Sequence, residues 1–176
     1  MFILVLADNG EIVKHLIEKG AEAELSELLM LAVRYGKELT KSVKVLVNKG
    51  ANIDKVSGPN EYPYVNDTVL IIAAQNDYME IVKTLLEKGA NVNVRCHSRS
   101  WCAGKDTMIY AANFGNVEII QLLLSKGANI DVQDKTGNSP LMMAARYDIF
   151  ERQFLYLKKM HRLILYCSIK YRNTNV

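Results

Sequence analysis

The residues most suited to chemistry are Cys96 and His97, adjacent to each other, with Cys102 five positions on. Thiolate and imidazole are zinc donors, but a structural zinc site takes four ligands, commonly with cysteines paired two to four residues apart. Three candidates at irregular spacing fall short, so no metal is expected, and the cysteines read as small apolar loop residues. His15, His97 and His161 have no nucleophile motif around them. There is no GxxxxGK[ST] phosphate loop, and the scattered glycines make no dinucleotide fingerprint. Glu80 and Glu118 recur at the starts of like segments, which fits helix-dipole compensation better than acid–base work. No catalytic residue, metal or cofactor is assigned, and the chain is read as non-enzymatic.

Composition narrows the class further. With 176 residues, 49% of them hydrophobic and 23% charged, the chain can bury a real core as one domain or a short repeat array. A net charge of +3 is too small to suggest nucleic-acid binding. Three cysteines argue against a disulfide scaffold and for a reducing compartment. No apolar run is long enough to span a membrane, and Phe2 to Ala7 is too short for a signal peptide. A cytoplasmic location is therefore expected. Ile-, Asn- and Lys-rich usage fits an AT-rich genome, which points weakly to a virus or an intracellular bacterium and to a host-directed effector in host cytoplasm.

What would position any functional residue is an internal repeat. Lys-Gly-Ala occurs at 19–21, 49–51, 88–90 and 126–128, with intervals of 30, 39 and 38 residues between the glycines. Each phrase follows an apolar segment: EIVKHLIEKGA, SVKVLVNKGA, EIVKTLLEKGA and EIIQLLLSKGA. Ile81, Val82, Leu85 and Leu86 share one helical face, and Leu85 and Leu122 are expected as core residues of their helices. The glycine supplies the left-handed turn that ends a helix. A shorter apolar segment precedes each long one: LLMLAVRYG, TVLIIAAQND, TMIYAANFG and SPLMMAARYD. Small pairs such as Ala73-Ala74 allow close helix approach. Thr68, Thr107 and Ser139 are expected N-caps, with Pro140 as a first helical residue. Each unit thus reads as turn, short helix, tight turn, long helix and glycine stop.

The stretch GANIDVQDKTGNSPLMMAA (127–145) resembles the ankyrin repeat, and AANFGNVEIIQLLLSKGANI (111–130) resembles its second half. The resemblance implies an all-α ankyrin-repeat solenoid of about five repeats over residues 3–160. The first is truncated, the last is degenerate, and two carry extended hairpin loops. Such repeats stack in one dimension and serve as protein-interaction modules. Two departures stand out. Ser139 replaces the usual Thr, and the usual His position is read as Ile71, Tyr110 and Met143, exchanging a hydrogen-bonding side chain for apolar packing.

Phase errors mark the candidate contact regions. Gly127 to Ala144 spans 17 residues, whereas Gly89 to Ala111 spans 22 and Gly50 to Ala73 spans 23. The extra residues form two fingers, 54–67 and 93–106. They carry Tyr62, Tyr64, Arg95, Arg99, Trp101 and Lys105, rich in residue types that dominate interface hot spots. A second row follows the small pairs: Arg34-Tyr35, Gln75-Asn76, Asn113-Phe114 and Arg146-Tyr147. In ankyrin proteins these positions face the concave groove, so the resemblance implies a column of aromatics for a protein ligand. Self-packing of the finger aromatics, and gap-filling by the groove aromatics, are the structural alternatives.

Charge is uneven: residues 1–145 hold 15 basic and 17 acidic side chains, and residues 146–176 hold seven and two. In the tail, Arg152 and Gln153 take the place of the apolar pairs Ile81-Val82 and Ile119-Ile120, and no Lys-Gly-Ala follows. Ile149, Phe150, Phe154, Leu157, Met160, Ile164 and Cys167 fall near one helical face. The segment is read as a capping helix that completes a domain at 1–166, followed by a frayed basic tail at 167–176. The alternatives are a basic amphipathic helix on a membrane or anionic surface, and a fragment of a larger ankyrin scaffold. The expected partner is a protein of unnamed identity, the expected oligomeric state a monomer.

Overall fold

The computed structural model describes residues 10–19, 24–36, 39–58, 67–96 and 104–147. Among them lie eight helices: α1 (Gly10–Glu18), α2 (Leu25–Tyr35), α3 (Thr40–Asn48), α4 (Val69–Gln75), α5 (Met79–Glu87), α6 (Thr107–Asn113), α7 (Val117–Ser125) and α8 (Pro140–Tyr147). They form two rows. The inner row runs α2, α4, α6, α8, and the outer row α1, α3, α5, α7, each helix packing on the next in its own row. Within a unit, α2 packs on α3, α4 on α5 and α6 on α7. Apart from two isolated antiparallel bridges, Val56 with Thr68 and Arg95 with Asp106, no β structure occurs among the described residues.

The Lys-Gly-Ala phrase explains how each outer helix stops. Lys88 is the C-cap of α5, and Gly89 follows in the left-handed region at φ 88°. The Gly89 amide donates to Leu86 O at 3.3 Å, and the Ala90 amide reaches back to Leu85 O at 3.0 Å. This is a Schellman closure, with Ala90 tucked into the core as its hydrophobic contact. The pattern repeats at Lys49-Gly50-Ala51 and Lys126-Gly127-Ala128. Nothing lies within 4 Å of a Cβ built on Gly89, so the requirement is backbone conformation and not space.

The face read from α5 is buried throughout: Ile81, Val82 and Leu85 are sealed and Leu86 nearly so. In α7 the buried set is Ile119, Ile120 and Leu123, while Leu122 is only half-buried. Leu123 is therefore the counterpart of Leu85, one residue beyond the expected position.

Helix starts correct a second expectation. Thr68 accepts a hydrogen bond from the Ile71 amide, and Ser139 from the Met142 amide, both 3.3 Å, as N-caps do. At α6, however, the cap is Asp106, which accepts from the Ile109 amide at 2.9 Å, while Thr107 is already helical. The Arg95–Asp106 bridge holds Asp106 extended, which puts its carboxylate at the helix mouth. Aligning the caps moves the ankyrin His position to Ile71, Ile109 and Met142, in place of Tyr110 and Met143.

Asx side chains tie neighbouring units together along the turns. The Asn91 amide donates to Asp54 Oδ1 at 3.0 Å and the Asn129 amide to Asn93 Oδ1 at 3.1 Å. The Asn52 amide uses Ser26 Oγ at 3.0 Å in the same way. Asn116 Nδ2 adds a buried bond to Ala74 O at 2.8 Å. Since buried or edge-on backbone amides need partners, this ladder fixes the stacking register.

Candidate functional site

The groove candidates all fall at the C-terminal ends of the inner helices. Arg34 and Tyr35 close α2, and Gln75 ends α4 with Asn76 as its cap. Asn113 ends α6 with Phe114 as its cap, and Arg146 and Tyr147 close α8. Because these helices stack in order, the four pairs share one register along the inner row. Tyr35 is 62% and Phe114 47% exposed, against 0–1% for Leu29, Met30, Met108 and Ile109 earlier in their helices. Arg146 is exposed and Arg34 and Asn113 are half-buried.

The middle pair behaves differently. Gln75 Nε2 donates to Asp67 Oδ2 at 3.3 Å, and Asn76 Nδ2 donates to Ile72 O at 2.8 Å in its own helix. Both amides are thus spent on holding α4 and the base of the first finger.

The fingers rise from paired stems. In the first, the Ser57 amide donates to Asp67 O at 2.9 Å and the Asp67 amide to Ser57 Oγ at 3.0 Å. In the second, the Cys96 amide donates to Lys105 O at 2.9 Å. Arg95 is exposed on this stem, and Lys105 Nζ stands 5.6 Å from the centre of the Tyr110 ring, a cation–π distance. Tyr62, Tyr64, Arg99 and Trp101 lie outside the described residues. The shorter third turn shows what the fingers replace. Asp134 accepts from the Thr136 and Asn138 amides and from both their side chains at 2.7–3.1 Å. Burial opposes its charge, but these donors win and hold its carboxyl below the usual range.

A buried joint between the two stems was not foreseen. Ile71, Cys96 and Tyr110 pack together beneath the second finger. Asp67 is buried beside them, and its Oδ1 has no hydrogen-bond partner. Burial, only partly offset by the Gln75 bond, pushes the Asp67 carboxyl up to about 6. Burial likewise raises Tyr110, with the Asp67 charge adding to it and a Gln75 hydrogen bond opposing. Asp106 is raised by burial against its own hydrogen bond to Ile109. A polar residue just before each cap was the available signal, but Asp67 and Tyr110 are too far apart in sequence for periodicity to pair them. Cys96 corrects another expectation: it is buried as an apolar loop residue would be, but it is disulfide-bonded. The remaining cysteines, Cys102 and Cys167, lie outside the described residues. The cysteine count therefore lends no support to a reducing compartment.

Among the described residues, no cluster of three or more His, Cys, Asp or Glu side chains is placed to hold a metal ion, and no helix is long and apolar enough to cross a membrane. Stacked helix pairs, Schellman closures and a shared inner row define a repeat solenoid built to present a surface. The family model for ankyrin repeats (3 copies) matches residues 1–96 and again residues 97–176. The chain belongs to the ankyrin-repeat family. Ankyrin repeats generally mediate protein–protein interaction and are generally non-catalytic. A search of curated proteins finds no match to the chain.

Proposed function

We propose that this chain binds a partner protein along its inner row, with Tyr35 and Phe114 as anchors and the two finger loops as flanking contacts. The observation that carries the reading is the exposure of these two aromatics at equivalent positions of a shared register. Aromatics are enriched at binding hot spots because they bury much area with few rotors to freeze. Arg34, Asn113 and Arg146 beside them supply a polar rim. Arg95 and Lys105 on the second stem, with Tyr62, Tyr64, Arg99, Trp101 and Tyr147, extend the surface; Gln75 and Asn76 hold it in shape. The test is affinity capture from cell extract by the immobilised full chain. Recovery of specific proteins should fall at least tenfold for Tyr35→Ala/Phe114→Ala, on the order of a hot-spot loss. It should be kept by the outer-row variant Lys83→Ala/Gln121→Ala. Equal recovery by both variants, each folded, overturns the surface assignment.

A further inference from the structure

Cations gather where the second finger stem meets the third turn. Lys105 lies over the Tyr110 ring, and Arg95 stands exposed on the other side of the same stem, paired through backbone with Asp106. Lys135 of the third turn joins them. A Cβ built on Gly104 would stand 3.0 Å from Lys135 Cγ, so this exposed lysine crosses the stem beside Lys105. At the far ends of the two helices that follow, Phe114 is half exposed and Arg146 is exposed, and α6 packs on α8.

The carboxylates of this region do not answer these charges. Asp106 and Asp134 are 2% and 6% exposed, and they spend their oxygens on the α6 cap and on the third turn. Among the described residues, Arg95, Lys105, Lys135 and Arg146 make no ion pair. The first stem differs, because Lys55 is held there by Glu27 at 2.7 Å and Glu24 at 3.9 Å. Residues 1–145 carry 15 basic and 17 acidic side chains, so the patch is a segregation of charge and not a surplus.

We propose that the α6–α8 end of the inner row binds an acidic segment of the partner protein, with carboxylates on Arg95, Lys105 and Lys135 and an apolar side chain on Phe114. The inference rests on the partner-binding reading above and names the chemistry of the ligand. Cations crowded on one stem repel one another, and incoming carboxylates relieve that repulsion, whereas a basic segment adds to it. Spacing sets a register. Lys105 and Phe114 flank α6, roughly 13 Å apart along its axis at 1.5 Å per residue. An extended segment covers that span in about four residues, so its acids stand about four positions from its apolar anchor.

The test is selection of displayed random 15-residue peptides on the immobilised full chain. Selected peptides should be enriched in Asp and Glu about four positions from a Phe, Leu or Trp. Synthesised and measured by fluorescence anisotropy, they should lose on the order of tenfold in affinity when Gln replaces their acids. The same loss is expected for the Lys105→Gln/Lys135→Gln chain, and none for Lys83→Gln/Lys126→Gln on exposed outer-row positions. Selection without acidic enrichment, or binding indifferent to Lys105→Gln/Lys135→Gln, overturns the proposal. So does equally tight binding of phosphatidylserine vesicles or an oligothymidine strand through the same lysines, which would make the patch a general anion binder. If these arms fail while Tyr35→Ala/Phe114→Ala still abolishes capture from extract, the partner-binding reading stands and only the acidic ligand falls.

Discussion

Replacing Asp67 by Asn should stabilise the protein at neutral pH, and the gain should disappear in acid. Asp67 is 2% exposed, accepts one long bond from Gln75 and leaves Oδ1 unpaired. Burial pushes its carboxyl from 3.8 up to about 6. A raised carboxyl means the fold prefers the protonated form. The group's contribution is therefore full below the unfolded value, near 4, and is lost as pH rises through about 6. The difference corresponds to about 3 kcal/mol as an upper bound, accrued at roughly 1.4 kcal/mol per pH unit. Asn mimics the protonated acid and keeps an acceptor for Gln75. Urea denaturation followed by circular dichroism at pH 4, 5, 6 and 7 should show the Asp67→Asn advantage growing across that range. Near neutrality it amounts to roughly 6–12 °C in Tm for a chain of this size. An advantage that stays flat from pH 4 to 7 would refute the assignment of a buried, charge-averse Asp67.

Other perturbations separate the structural devices. Leu85→Ala should cost about 2–5 kcal/mol in chemical denaturation, since Leu85 is fully buried, and half-buried Leu122→Ala clearly less. Gly89→Val should lower stability by at least about 1–2 kcal/mol through its left-handed backbone, although the space beside it is empty. A Tm equal to wild type would contradict the Schellman closure. Asp134→Ala should cost about 2–3 kcal/mol at pH 7 by removing an acceptor of four hydrogen bonds. Because the Asp134 carboxyl is lowered, its contribution is present above the unfolded value and lost as pH falls through the folded one. The Asp134→Ala penalty should thus shrink in acid, opposite in sign to Asp67.

The repeat was legible in the sequence because its signals are local. A helix that ends Lys-Gly-Ala uses neighbours for its cap, its left-handed turn and its apolar contact, so spacing alone revealed units and rows. Single-residue registers were less secure. Asp106 and Thr107 are adjacent capping residues, and only the cross-finger bridge to Arg95 decides between them. Leu122 and Leu123 differ by one helical step, too fine for an apolar count to resolve. Gln75 was grouped with the contact row by its place in the repeat, yet its amide serves Asp67. The Asp67–Gln75–Tyr110 joint was invisible because Tyr110 meets Asp67 and Gln75 only through tertiary packing. Tyr35 and Phe114 stand at the ends of α2 and α6, and their exposure came only with the stack.

The most direct test of inner-row binding is hydrogen exchange on the complex with a captured partner, compared with the free chain. Slowed exchange is expected at the C-terminal ends of α2, α4, α6 and α8 and on the finger stems, with α3, α5 and α7 unchanged. Slowing confined to the outer row would contradict it.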